Sequence, residues 1–376
     1  MATVRDAIAV LEAAYPPRLA ESWDSVGLVC GDPDDAVDAV LVCVDVTDAV
    51  VDAALDLGAA LIVAHHPLLM RGVDTVGTHT PKGRLVHRLI RGGCALYTAH
   101  TNADSASPGV SDALAELLGL VDLRPLDPKP VAAMDKWSVL VPISDGDAGL
   151  QGAVDHVSAA MFDAGAGAIG AYSRCAWMTD GHGQFLPGPD ARPTLGEPGT
   201  LHREAERRID MVAPRGRRSA VLAALRAAHP YEEPAFDVLE LAAEDGSVGL
   251  GRVGRLPTPV SLRDFAVIVT TRLRTESWGI RVAGDPGARV ETVAVCGGAG
   301  DSLIDAARGA GVDVYLTGDL RHHPVDESLR RGGPAFIDAG HWGTEFPWCA
   351  QAQGILSDSG FSATVFGAPT HPWKAM

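Results

Sequence analysis

The chain alternates between short, wholly apolar runs and longer stretches in which apolar residues recur every three or four positions. Val4, Ile8 and Leu11 fall at i, i+4 and i+7, which predicts an amphipathic helix ending at Pro16-Pro17. Beyond the loop Trp23-Asp24-Ser25 come the short run Val26 to Cys30, strand-like Ala39 to Val44, a helical stretch through Ala53 to Leu57, and a further strand, Leu61-Ile62-Val63-Ala64. Leu85, Val86, Leu89 and Ile90 mark a helix over Lys82 to Arg91, with strand Ala95 to Ala99 after it. Ser107-Pro108 reads as an N-cap followed by proline at the first helical position, opening a helix that carries Val110, Leu114, Leu117 and Leu118. Strands and helices alternating at these lengths predict βαβ units around a mostly parallel sheet.

The texture changes at the proline-rich stretch Pro125 to Pro130, which reads as a boundary. Strand-like Trp137 to Val141, a helix near Val154 to Asp163 and a second strand-like run after Gly170 follow. Gly181 to Gly199, rich in Gly and Pro, reads as a long loop or a pair of turns. Ile209 to Val212, a helix over Ser219 to Ala227 and Phe236 to Leu239 complete an order of strand, helix, strand, strand, helix, strand, which is that of a split βαβ sandwich. The first pattern resumes after Gly249: strand Val290 to Val295, a tight glycine turn at Cys296 to Gly300, a helix over Ser302 to Arg308 and strand Val312 to Leu316. The expected architecture is therefore α/β, a discontinuous domain in segments 1–126 and 246–376 interrupted by an inserted α+β domain over 127–245.

Composition narrows the function classes. With 376 residues, 47% hydrophobic and 21% charged, the chain is an ordinary globular protein of more than one domain. A net charge of −17 argues against wrapping nucleic acid or lying on an anionic membrane, since either partner is repelled. A polyanionic small substrate is compatible only if bound cations reverse the sign locally. The six cysteines are scattered without a C-x-x-C pair, which fits reduced thiols and a cytoplasmic location better than a disulfide framework. Asp6 and Glu12 break signal- and transit-peptide patterns, and no apolar stretch reaches the ~18 residues of a membrane span.

Candidate chemistry gathers where apolar strands end, which is where ligands collect in open α/β sheets. His65 and His66 close the Leu61 strand. Adjacent residues diverge along a regular strand, so both imidazoles face one site only where the backbone turns, and Pro67 places that turn here. Asp104, with His100 and Asn102 close by, follows the Ala95 strand; it is either a turn residue or a metal ligand, and His100 could orient a ligand by hydrogen bonding. His341 and Glu345 follow Ala335-Phe336-Ile337. Gly343 and Pro347 predict a helix that begins near Thr344, leaving His341 in the loop before it and Glu345 either a ligand or a complement to the helix N-terminus. In Thr317-Gly318-Asp319-Leu320-Arg321-His322-His323, one histidine is either a general acid–base or half of a solvated pair. Gly297 to Gly300 either forms a phosphate nest or supplies glycine for steric reasons alone.

Six motifs in register resemble the NGG-interacting-factor-three-like family, the GTP cyclohydrolase I type 2 homologues: Trp23 to Leu28, Ala64 to Leu68, Thr80 to Gly83, Thr98 to Asp104, Thr317 to Asp319 with His323, and Ala339 to Glu345. Gly183-Gln184-Phe185, Glu206 to Ile209 and His229-Pro230-Tyr231-Glu232-Glu233-Pro234 resemble the ferredoxin-like insertion, similar to PII and CutA proteins, of the longer members. The resemblance implies a dinuclear centre with ligands at His65, His66, Asp104, His341 and Glu345, one carboxylate bridging, in a ring-shaped homohexamer. Two divalent ions per subunit, of Zn, Fe, Mn, Co or Ni, would suit such imidazole and carboxylate ligation. The family name implies hydrolytic opening of the GTP imidazole ring with release of formate. Thiolate ligands, used by zinc deaminases on purine rings, are absent from this set, which leaves phosphoester hydrolysis open. The expected function is a metal-dependent hydrolase of a nucleotide or phosphoester, with His323 or His100 relaying a proton. The alternatives are a non-catalytic, regulatory metal-binding hexamer and an adaptor whose metals pin the outer segments together.

Overall fold

The computed structural model describes residues 2–130, 133–143, 150, 152–242, 245–275 and 278–374. The chain divides into two compact units, one formed by residues 1–129 with 246–376 and the other by residues 130–245.

In the larger unit a five-stranded sheet runs in the order Gly27–Cys30, Ala95–Thr98, Leu61–Ala64, Val40–Cys43, Ala363–Val365. Its pairings are parallel except at the Gly27–Cys30 edge. All four residues of Leu61–Ala64 are buried because both faces are covered, as parallel sheets require. Leu61 and Val63 join a core with the helices Val4–Ala14 and His341–Asp358, while Ile62 and Ala64 face a second core with the helices Asp48–Leu57 and Pro81–Arg91. The first helix starts where it does because Thr3 and Asp6 form a reciprocal capping box.

A six-stranded sheet of the same unit runs Arg281–Ala283, Ala335–Asp338, Val314–Gly318, Arg289–Ala299, Asp245–Ser261, Val121–Pro130. Ala335–Asp338, Val314–Gly318 and Arg289–Ala299 are parallel to one another, and the candidate residues Asp319 and His341 follow the carboxyl ends of two of them. The helix His341–Asp358 packs against both sheets. Arg252, 1% exposed, bonds the carboxylate of Asp112 at 2.7 Å through two nitrogens and also donates to the Gly249 and Gly251 carbonyls. A buried guanidinium satisfied this completely fastens the helix Val110–Leu118 of the first segment to a strand of the second.

In the smaller unit the strands Met134–Pro142, Trp177–Phe185, His202–Pro214 and Phe236–Glu240 form one sheet, ordered second, third, first, fourth, with all neighbours antiparallel. Trp137, Val139 and Val141 alternate inward with Ile209, Met211 and Ala213, and the helices Ala153–Asp163 and Arg218–Ala228 cover them with Val157, Met161, Val221 and Leu225.

Several local expectations change. Pro125 to Pro130 lies in the strand Val121–Pro130, at whose end the two units divide; its prolines sit on the outermost strand, where a missing N–H breaks no ladder. Gly181 to Phe185 belongs to a long strand paired along its length with His202–Pro214, so only 186–201 is loop. The strand expected after Gly170 begins at Trp177, preceded by an isolated bridge between Ile169 and Tyr172. Gly109, not Ser107, caps the helix Val110–Leu118, its N–H donating to Asp112 at 2.7 Å. No helix among the described residues is long and apolar enough to cross a membrane.

Candidate metal centre

His65 and His66 stand one and two residues past Leu61–Ala64, where the backbone still bonds to the neighbouring strand through Cys43 and Val44 carbonyls. His65 is fully buried, its ring against Trp348 at 5.1 Å between centroids. Its Nδ1 donates to the Ala99 carbonyl at 2.9 Å, which leaves the lone pair of Nε2 directed inward with no hydrogen-bond partner. His66 follows the same plan with Nδ1 on Asp45 at 2.7 Å, and His341 with Nδ1 on Asp319 at 2.7 Å. His100 repeats it with Asp24 at 2.9 Å, and Asp24 is itself held by the Thr101 N–H. Four imidazoles thus have their Nδ1 protons claimed by an oxygen, which fixes tautomer and orientation and frees Nε2 as a donor atom. This is the outer support that metal-bound histidines use.

The free nitrogens converge. His341 Nε2 lies 3.2 Å from His66 Nε2. Glu345, 3% exposed, places Oε1 3.2 Å from His341 Nε2 and 3.5 Å from His65 Nε2, and Oε2 3.0 Å from His66 Nε2. That last oxygen is close to His66 but outside hydrogen-bond geometry, so a buried carboxylate oxygen and a buried imidazole nitrogen are both left without partners. Asp104 adds an oxygen 3.7 Å from His65 Nε2. Among the described residues, two groupings are compact enough to hold a cation: His65, His66 and His100, and His66, His341 and Glu345.

The electrostatics carry the same imprint. Burial opposes charge on His66, yet the Glu345 carboxylate and the Asp45 hydrogen bond outweigh it and push its pKa up to about 10. His341 is pushed up to about 11 against burial by Glu345 and Asp319. Burial would raise Glu345, but the facing imidazoles draw it well below the usual carboxylate range. Burial raises Asp104 despite His65 and His100. The pocket is arranged to receive positive charge.

The profile of the family described as Duf34/NIF3 (NGG1p interacting factor 3) matches residues 2–372. This chain belongs to the Duf34/NIF3 family. It is 56% identical over 374 residues to a Mycobacterium tuberculosis protein named GTP cyclohydrolase 1 type 2 homolog, covering 98% of this chain and 96% of that one. The Bacillus subtilis protein of the same name is 37% identical, covering 89% and 87%. Among solved structures, a Bacillus cereus protein related to NIF3 is 35% identical with a TM-score of 0.68, covering 100% of this chain and 99% of that one. Staphylococcus aureus protein SA1388 is 25% identical with a TM-score of 0.79 over the same shares.

In this Duf34/NIF3 chain the structure brings His65, His66, His100, Asp104, His341 and Glu345 together, and puts His323 elsewhere. His323 is exposed at the start of the helix His322–Arg330, lining a groove with Asp301, Glu327 and Arg331. His341 is the first residue of its helix, not part of a preceding loop. Gly343 does not break that helix: a Cβ there would meet the Arg274 carbonyl oxygen at 2.7 Å, so glycine serves close packing. The Cys296–Gly300 segment is no free nest. The strand continues to Ala299, and the amides of Gly298 and Gly300 bond Thr344 Oγ1 and the Gly318 carbonyl. Gly298 is required for a different reason, since a Cβ would lie 2.3 Å from Glu345 Oε1. Sequence reasoning missed Asp45 as the support of His66, although it too follows a buried strand end.

Proposed function

We propose that this Duf34/NIF3 protein is a metal-dependent hydrolase of a nucleotide or phosphoester, with two divalent cations held by His65, His66, Asp104, His341 and Glu345. The observation that carries the reading is the pair of unpartnered, buried atoms, His65 Nε2 and Glu345 Oε2, at the centre of Nδ1-anchored imidazoles. Leaving such groups unsatisfied costs on the order of 1–3 kcal/mol each, which cation binding recovers. With neutral imidazoles, the carboxylates of Asp24, Asp45, Asp104, Asp319 and Glu345 leave a surplus of five negative charges, close to the charge of two divalent ions. Nitrogen and oxygen donors together suit Zn, Fe, Mn, Co or Ni. When bound, such ions supply a water acidified toward neutrality and stabilise charge on a phosphoryl or ring oxygen.

The chain's own residues do the rest. Glu345 directs both oxygens at imidazoles, as a shared carboxylate must. Asp45 and Asp319 hold the His66 and His341 rings in the ligating tautomer. His100, kept by Asp24 with Nε2 free, is the group suited to pass a proton to the leaving atom. His323 takes no part in the reaction so proposed. The name of the relatives points to GTP as one substrate to try.

The smaller unit is assigned to the ferredoxin-like, PII/CutA-like class on its β-α-β-β-α-β order and its sheet order. A ring-shaped homohexamer in the cytoplasm, implied by the family resemblance and compatible with six free cysteines, completes the proposal.

The test is to purify the protein with its native metal, determine metal content and mass, and incubate it with GTP and a panel of phosphoesters. Release of formate or phosphate, lost on chelation and restored by the metal, supports the reading. A metal-replete protein that releases neither is a metal-binding assembly without this activity.

A further inference from the structure

The smaller unit contains a cavity of about 460 Å³ that the metal-centre reading does not use. Two motifs distant in sequence build it, Gly183-Gln184-Phe185 and Tyr231-Glu232-Glu233, with Glu206 from the strand His202–Pro214. Its apolar surface comes from Leu140, Phe185, Pro187 and Leu195, and the Phe185 and Tyr231 rings stand edge to face at 6.0 Å. The walls are tied together: Glu232 accepts the Arg192 N–H at 2.9 Å, and the Thr194 hydroxyl donates to the Pro230 carbonyl at 2.7 Å, fastening loop 186–201 to the Tyr231 segment.

Its polar groups are unusual for so apolar a setting. Glu206 is 7% exposed, and among the described residues it forms no salt bridge. Gly183 is what makes room for it, because a Cβ there would lie 2.1 Å from Glu206 Oε2. The buried Tyr231 hydroxyl faces this carboxylate and favours its charged form, without supplying a countercharge. Burial pushes the Glu206 carboxyl up, the Tyr231 hydroxyl opposes this, and the neighbouring Glu204 adds to the rise. No Lys, Arg or His is among the described lining residues, whereas Glu206, Glu232 and Glu233 are; His202, beside Phe185, is engaged by Glu204 at 3.1 Å.

We propose that this cavity binds a small organic cation, a primary ammonium or amidinium on an apolar or aromatic body, with its nitrogen on Glu206 and its body against Phe185 and Tyr231. A buried carboxylate with no cationic partner among the described residues is costly and is relieved by a partner of opposite charge. Aromatic faces attract the same cation, and the volume suits a ligand of modest size. Phosphates and carboxylates find no cation here, so the ligand belongs to a different class from the substrate proposed for the metal centre.

The test titrates the full-length, metal-loaded protein by calorimetry with benzylamine, benzamidine, benzyl alcohol and benzoate, which share one ring and differ in charge. Saturable binding of the two cations, with the alcohol about tenfold weaker or worse and benzoate inert, is expected. Glu206→Gln is expected to weaken the cations by about tenfold or more while metal content stays unchanged. Equal binding of benzoate or the alcohol overturns the proposal, as does unchanged cation affinity in Glu206→Gln, or absence of binding by both cations at millimolar concentration. If Glu206→Gln does not fold, Phe185→Ala and Tyr231→Phe decide: cation affinity unchanged in both also overturns it.

Discussion

Two pairs of adjacent histidines lie at the rim of the larger unit's sheets, and in both the ring centroids are 5.1 Å apart. His65-His66 and His322-His323 look alike in sequence, each just past an apolar strand. In the structure one is a candidate metal centre and the other is exposed at a helix start. What separates them is the set of oxygens behind the rings. Ala99 and Asp45 hold Nδ1 of the first pair, whereas no hydrogen bond to either ring of the second is found among the described residues. A histidine pair becomes a ligand pair when its second nitrogens are fixed and its first are crowded toward a carboxylate.

The comparison can be broken most severely at the ring itself. His66→Ala should abolish most metal retention while His322→Ala with His323→Ala leaves it intact, measured by elemental analysis after dialysis. Full retention in His66→Ala would show the assigned ligands to be wrong. Removing only the oxygen behind the ring is the next step down: Asp45→Asn should lower metal affinity by about 10–100-fold in competition with a chelator, with the fold unchanged by circular dichroism.

A proton count sharpens the contrast. His66 and His341 have raised pKa values, and their Nε2 atoms are 3.2 Å apart, a spacing at which one ring donates and the other accepts. The metal-free pair therefore carries a proton at neutral pH that metal must displace. Calorimetry in buffers of different ionisation enthalpy should detect at least about one proton released per subunit, and uptake should weaken as pH falls. Because these folded-state values lie above the ordinary histidine value, their contribution to stability is present below about pH 6.5. It is lost as pH rises, so the metal-free protein should melt at lower temperature as pH approaches about 10. Smallest is the effect at the exposed pair, where His323→Ala should change stability by less than about 0.5 kcal/mol in denaturant unfolding.

Much of this arrangement could be read before any coordinates. Leu61–Ala64 is wholly apolar and Ala95–Thr98 nearly so, and runs this short fit strands buried on both faces better than helices, so the strand ends and the residues on them were legible. The inserted unit's order of elements was legible for a different reason, the alternation of apolar residues in Trp137 to Val141 and the helical spacing that follows it. What was not legible depends on distant contacts. Gly343 and Gly298 look like breakers in isolation and are in fact sites where Arg274 and Glu345 approach too closely for a side chain. The prolines of Val121–Pro130 read as a boundary with no strand in it, because nothing local says that this stretch is an outermost strand. Asp45 was passed over because a carboxylate after a strand is ordinary until a histidine is known to face it.

The candidate centre draws His65, His66 and Asp104 from before the inserted unit and His341 and Glu345 from after it. Translation therefore imposes an order on its assembly. At about 5–20 residues per second, the ribosome needs roughly 12–50 s to travel from Asp104 to Glu345. Throughout that interval His66 and Asp45 exist without the carboxylate they will share a site with, and Asp112 waits for Arg252. A nascent chain in this condition offers an incomplete set of ligands to any cation it meets. The candidate ligand set is complete only after the final helix has docked.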